Sequence, residues 1–128
     1  METGIKGKKS IVVNEMNTAS AMGSGMLPVF ATPSMIALME NVACSSVQGY
    51  LENGQGTVGT SIQVKHVSAT PLGMEVTCET ELVEIDRKRL VFQVKAYDKD
   101  GLIGEGTHER FIIENERFLQ KAEAKQHH

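Results

Sequence analysis

The chain has 128 residues, 41% apolar and 23% charged, the balance of an ordinary globular protein. That length suits one domain burying about two-thirds of its surface. With 13 basic and 16 acidic residues the net charge is −3, which excludes the basic footprint of a nucleic-acid binder. No stretch approaches the roughly 18 apolar residues of a membrane span. Met1-Glu2-Thr3-Gly4 leads into scattered lysines rather than a signal-peptide core. Cys44 and Cys78 fall in a predicted helix and a predicted strand, which suits buried thiols in a reducing cytoplasm better than a disulfide framework. Four of the seven methionines (Met22, Met26, Met35, Met39) lie in one eighteen-residue window. Methionine fills adaptable apolar pockets, so the window reads as core before it reads as a ligand-facing wall.

In chain order, Gly4–Val13 offers a short strand ending in Ile11-Val12-Val13, and Asn17–Leu27, rich in Ser, Gly, Met and Ala, reads as a mobile loop. A helix begins at Thr32, a good N-cap, with Pro33 at the first helical position, and runs uninterrupted to Gly49. It is about 27 Å long. Ser34, Asn41, Ser45 and Gln48 gather into one polar stripe, and the rest of the circumference is apolar or small, as in a helix wrapped by other structure. Period-two alternation then marks strands in Thr57–Thr70, Met74–Ile85, Leu90–Tyr97 and Leu102–Ile113. They are separated by Thr70-Pro71-Leu72-Gly73, Asp86-Arg87-Lys88-Arg89 and Asp98-Lys99-Asp100-Gly101. Four strands with short connections predict an antiparallel meander, and the long helix ahead of it an α+β fold with the sheet curling around the helix. The chain reads as one domain over residues 1–128, with a flexible N-terminal segment and a polar tail from Arg117. His127-His128 reads equally as natural sequence or as a tag remnant.

From Met16 to Leu51 the only charged residue is Glu40. It lies roughly 80° or more from the middle of the polar stripe, beside Ile36, Ala43, Cys44 and Val47. A carboxylate on an apolar face costs several kcal/mol unless it is paired, protonated or used. A salt bridge to a strand arginine is the bland reading. A catalytic carboxylate is the functional one, and the charge desert favours it. His66 shares the parity of Val58, Ile62 and Val64, the inward face. A lone histidine there is more often core, but an inward carboxylate on the covering helix makes a Glu–His acid/base pair plausible. His108 falls on the face of Gly106 and Arg110, its role open. Thr32 is either a plain N-cap or a hydroxyl beside a helix N-terminus, where amides stabilise an oxyanion. Thr32 and Glu40 are about 12 Å apart along a helix axis. They meet only if Thr32 curls back or if the pocket spans a dimer interface.

Other motifs fail. Gly54-Gln55-Gly56-Thr57-Val58-Gly59 matches G-x-G-x-x-G but opens a strand after a helix, the reverse of the dinucleotide-binding order. Asp98-Lys99-Asp100-Gly101 lacks calcium ligands, no Cys/His spacing suits zinc, and Arg87-Lys88-Arg89 reads as a solvated hairpin tip rather than a phosphate site.

Phe30-Ala31-Thr32-Pro33-Ser34-Met35-Ile36-Ala37-Leu38-Met39-Glu40 resembles the helix-start motif of the fluoroacetyl-CoA thioesterase-like branch of hot-dog fold proteins. So do Gly59-Thr60 followed by Val64-Lys65-His66, the Ala69-Thr70-Pro71-Leu72-Gly73 turn, and Gly106-Thr107-His108-Glu109-Arg110, in order over roughly Val29 to Ile113. The resemblance implies a long helix wrapped by an antiparallel sheet, working as a dimer, and hydrolysis of an acyl-CoA thioester. It places the family's catalytic threonine, glutamate and histidine on Thr32, Glu40 and His66, its backbone contact to the acyl group near Gly59, and its substrate-side arginine on Arg110. Where the fluoroacetyl-specific enzyme carries phenylalanines just before the helix, this chain has Gly23-Ser24-Gly25-Met26-Leu27, which implies a different lid and speaks against fluoroacetyl-CoA itself.

The expected function is thus a cytoplasmic thioesterase for a short or small acyl-CoA, needing neither cofactor nor metal. Glu40 activates water or attacks directly, Thr32 assists at the thioester, and His66 acts as acid/base toward the thiolate. The alternative is a non-catalytic acyl-CoA or small-acid binding module. A hot-dog hydratase is weaker, for want of an aspartate–histidine pair at its helix-start spacing. The expected partners are the acyl-CoA substrate and a second copy of the chain, as a homodimer or a dimer of dimers, because one sheet wrapping one helix leaves edge strands uncovered. No nucleic acid and no membrane are expected.

Overall fold

The computed structural model describes residues 1–127, so the second half of the His127-His128 pair lies outside the described residues. The elements are β1 (Lys6–Val12), α1 (Ala19–Met22), α2 (Thr32–Gln48), β2 (Gln55–His66), β3 (Glu75–Asp86), β4 (Arg89–Asp98), β5 (Gly101–Glu114) and α3 (Asn115–Glu123), followed by a 3-10 turn at Ala124–His127. The strands form one antiparallel sheet in the order β1-β3-β4-β5-β2, and α2 packs across one face of it, touching all five strands. The expected α+β architecture is the one observed.

The core follows from two periodicities. Along α2, Met35, Leu38, Met39, Val42, Ala43 and Val47 recur at helical spacing and are buried. Facing them, Val76, Cys78 and Leu82 of β3 and Leu90, Phe92, Val94 and Ala96 of β4 alternate inward and are fully buried. The methionine window divides here. Met35 and Met39 are core, whereas Met22 and Met26 stand in solvent, Met26 at 92% exposure.

Three expectations change. The meander covers only β3-β4-β5. β2 does not pair with β3 but returns to the far edge of the sheet beside β5. The connection 67–74 makes this possible, since eight residues can reach about 26 Å, well beyond the roughly 14 Å between strands three places apart. It is pinned on the way by Val67 N–H to Ile103 O (2.7 Å), Phe30 N–H to Thr70 O (2.8 Å) and Gly73 N–H to Val13 O (2.8 Å). Second, the N-cap of α2 is Ala31, not Thr32. Ala31 is extended (φ −76, ψ 141) and makes no side-chain cap bond, so Thr32 is the first helical residue and its hydroxyl is free for another partner. Third, the segment Asn17–Leu27 contains the four-residue α1, whose Thr18 cap accepts from the Ala21 N–H. The polar tail is helical over α3, with Glu116 in its first turn and Lys121 in its last, each placed to suit the helix dipole.

Candidate active site

Thr32 and His66 meet at the N-terminal end of α2. β2 carries His66 as its last residue, opposite Gly104 of β5, and Thr32 Oγ1 lies 2.8 Å from His66 Nδ1. The ring stands edge-on to Phe30 at 6.4 Å. Nε2 is buried and has no hydrogen-bond partner among the described residues. Burial lowers the pKa of His66 below the usual 6.5, the Ser68 backbone offsetting part of the shift. Both side chains line an open cleft of about 290 Å³, together with Val29, Phe30, Ser68 and Ala69. The structure has a larger depression of about 610 Å³, bounded by Pro71–Glu75 and Tyr97–Lys99, whose lining includes none of the candidate residues.

Two turns further along α2 lies a second group. Glu40 is half-exposed, and its Oε2 sits 4.0 Å from Arg110 Nη1. Arg110 itself is buried and closely tethered. Its Nε donates to Thr57 Oγ1 (2.8 Å), its Nη2 to the Thr57 carbonyl (2.9 Å) and its Nη1 to His108 Nε2 (3.1 Å). The Thr57 hydroxyl in turn donates to Cys44 Sγ at 3.8 Å. His108, 1% exposed, has its Nδ1 2.8 Å from the Ser61 carbonyl. A carbonyl can only accept and a guanidinium only donate, so His108 must carry its proton on Nδ1 and be neutral. Burial lowers its pKa, with Arg110 adding to the shift against the Ser61 carbonyl, Glu40 and Glu109.

Gly59 closes this group. A Cβ at that position would lie 3.0 Å from Glu40 Oε2, 3.2 Å from His108 Cε1 and 3.4 Å from Arg110 Nη1. A side chain there would crowd the gap between carboxylate and guanidinium and push these groups aside by a few tenths of an ångström.

The structure therefore brings Thr32 to His66 and Glu40 to Gly59 and Arg110, but keeps these pairs apart within one protomer. Thr32 and Glu40 belong to one continuous helix, about 12 Å apart along its axis. Gly59 and His66 are seven residues apart on β2, on the order of 20 Å. The sequence does not single out Thr57 and leaves the role of His108 open. The alternation His108-x-Arg110 put both side chains on the inner face. Thr57 was hidden because β2 is bulged between Gly59 and Ser61, which reverses the inward parity across the bulge.

Comparison with known proteins identifies the family. Residues 13–116 match the family model of the fluoroacetyl-CoA-specific thioesterase FlK. The chain is 44% identical over 97 residues to the fluoroacetyl-CoA thioesterase of Streptantibioticus cattleyicolor, covering 76% of this chain and 70% of that one. It superposes with a TM-score of 0.92 and 37% identity on a threonine-to-serine variant of FlK in complex with acetyl-CoA, covering 98% of each chain. A thioesterase-superfamily member from Thermus thermophilus, 24% identical, shares the fold with a TM-score of 0.88 over 98% of this chain and 96% of that one. The chain belongs to the fluoroacetyl-CoA thioesterase family and is a thioester hydrolase of the hot-dog fold.

Proposed function

We propose that this protein hydrolyses small acyl-CoA thioesters at a site assembled from both groups, Thr32 and His66 from one protomer and Glu40, Gly59 and Arg110 from another. The observation that carries the reading is the separation of two half-sites along α2, each incomplete for acyl transfer by itself. β2 is an edge strand with its outer rim free, and antiparallel pairing with a second β2 about a two-fold axis between Ile62 and Gln63 would set Gly59 of one copy toward His66 of the other. A homodimer, or a dimer of dimers, follows from this reading, each chain acting as one domain.

Hydrolysis breaks the C–S bond and delivers water across it. Glu40 supplies the attacking oxygen itself or takes the proton from the attacking water. Labelled oxygen from water enters Glu40 by the first route and bypasses it by the second. Because Ala31 caps α2 without a side-chain bond, the Thr32 and Ser34 amides stay available to the developing oxyanion, while Pro33 has none to offer. Thr32 fixes the His66 ring through Nδ1, and Nε2 relays to the departing thiolate the proton given up by the water consumed, which returns the ring to its neutral form. The proposed chemistry uses only these side chains and water. Arg110 and Gly59 contact the acyl end.

The acyl group is small but not tuned to fluoroacetate, because residues 23–27 ahead of α2 offer exposed Met26 and Leu27 and no aromatic ring. A cytoplasmic setting fits the two free thiols, Cys44 and Cys78. The test is thiol release from a panel of short and medium acyl-CoAs. Release above the uncatalysed rate, greatest for the smaller acyl groups, is expected. Measurable affinity with no release would leave the binding module standing.

A further inference from the structure

We propose that His108 is a positioning residue that holds the Arg110 guanidinium off Glu40, so that the carboxylate keeps a neighbouring positive charge without a hydrogen bond to it. The inference rests on the proposed role of Glu40. Arginine and carboxylate at this range ordinarily close to a direct, often bidentate pair. Here they do not, and the 4.0 Å between Nη1 and Oε2 is beyond hydrogen-bond length. The reason lies in the tethers. Thr57 holds Nε and Nη2 from one side. Among the described residues only His108 Nε2 hydrogen-bonds Nη1, the nitrogen nearest Glu40, and it does so with the lone pair of a neutral ring. The ring is locked in turn by Nδ1–H donating to the Ser61 carbonyl at the bulge of β2, and by Phe92 of β4 at 6.2 Å. Gly59 leaves the intervening space open. A carboxylate whose lone pairs were spent on a guanidinium would be a poor base or nucleophile. One held near a positive charge, yet unbonded, is poised to act when substrate arrives.

Two substitutions separate the bonds of His108. His108→Gln can place an oxygen near Nε2 and keep the acceptor for Arg110. His108→Asn can keep a donor for the Ser61 carbonyl but loses that acceptor. With acetyl-CoA as probe, His108→Asn is expected to lower kcat about tenfold or more with KM within about threefold, and His108→Gln to keep both within about threefold. A crystal structure of His108→Asn should show Arg110 Nη1 closed onto Glu40 at about 2.8 Å. Equal losses in both variants, or an unchanged gap in His108→Asn, would overturn the inference. If His108→Asn does not fold, nitrogen NMR of the wild-type histidines decides. A proton-free Nε2 at neutral pH supports the inference and a protonated Nε2 defeats it. Failure of the functional reading looks different. Wild-type protein would then release no thiol from any acyl-CoA, while the structural and NMR readouts would still report on Arg110.

Discussion

The two ends of α2 handle their polar groups in opposite ways. At the Glu40 end, Arg110 is buried and makes three hydrogen bonds, and His108 has both ring nitrogens engaged. At the Thr32 end, His66 makes one hydrogen bond, and its buried Nε2 has no partner among the described residues. Buried polar groups are normally satisfied, so on the proposed reading the contrast sets a preformed scaffold against a ring nitrogen that substrate can engage. In the proposed site the first end shapes and charges the pocket, and the second handles the proton.

Breaking the comparison at Glu40 should have the largest effect. Glu40→Gln is expected to cut turnover by about 100-fold or more, the scale of a lost base or nucleophile, with an unchanged or higher melting temperature. It makes no hydrogen bond to Arg110, so its loss leaves no broken bond behind. A variant that melted several degrees lower and kept wild-type turnover would make Glu40 a structural carboxylate. Next is Thr32. Thr32→Ala removes the hydroxyl from His66 Nδ1 and should slow turnover about tenfold, the equivalent of one hydrogen bond, while Thr32→Ser stays near wild type. Because Ala31 caps the helix, neither variant should shift the melting temperature appreciably, and a drop in Thr32→Ala would restore the capping role.

Gly59→Ala sharpens the scaffold side. Its Cβ would press on Glu40 and the Arg110–His108 pair, so kcat should fall about threefold or more at nearly constant stability. The smallest effect is in pH-dependent stability. His66 and His108 both have pKa values lowered from 6.5 by burial. Between those lowered values and 6.5 the unfolded chain binds more protons than the folded one, so stability rises with pH in that window and levels off above it. The melting temperature should therefore be lower near about pH 5.5 than near about pH 7.5, with a shallower slope in His108→Gln. A flat profile for wild-type protein would mean that neither ring is buried neutral.

The sequence made α2, β3 and β4 legible, because their apolar residues repeat cleanly at helical or two-residue spacing. Glu40 stood out by its isolation among uncharged residues. The position of β2 did not, since an eight-residue connection fits a hairpin loop as well as a crossing over the sheet end, and only the completed sheet decides. Thr57 escaped because a bulge reverses parity without any mark in composition. The Arg110–His108 bond escaped because residues alternating on a strand announce a shared face but not a shared proton. The N-cap shifted by one residue because Ala31 is held extended by its N–H bond to the Asn17 carbonyl (2.9 Å), a tertiary contact that outweighs threonine's capping preference.

The central claim, one site drawn from two protomers, is tested most directly by complementation. Glu40→Gln and His66→Gln, each inactive as a homodimer, are co-expressed with different tags and the hybrid is assayed for thiol release. If Glu40 of one copy works with His66 of the other, each hybrid regains one intact site, and a random mixture recovers about a quarter of wild-type turnover. If the three residues serve one protomer, every site in the hybrid carries a lesion, and activity no higher than that of the parent variants would contradict the account.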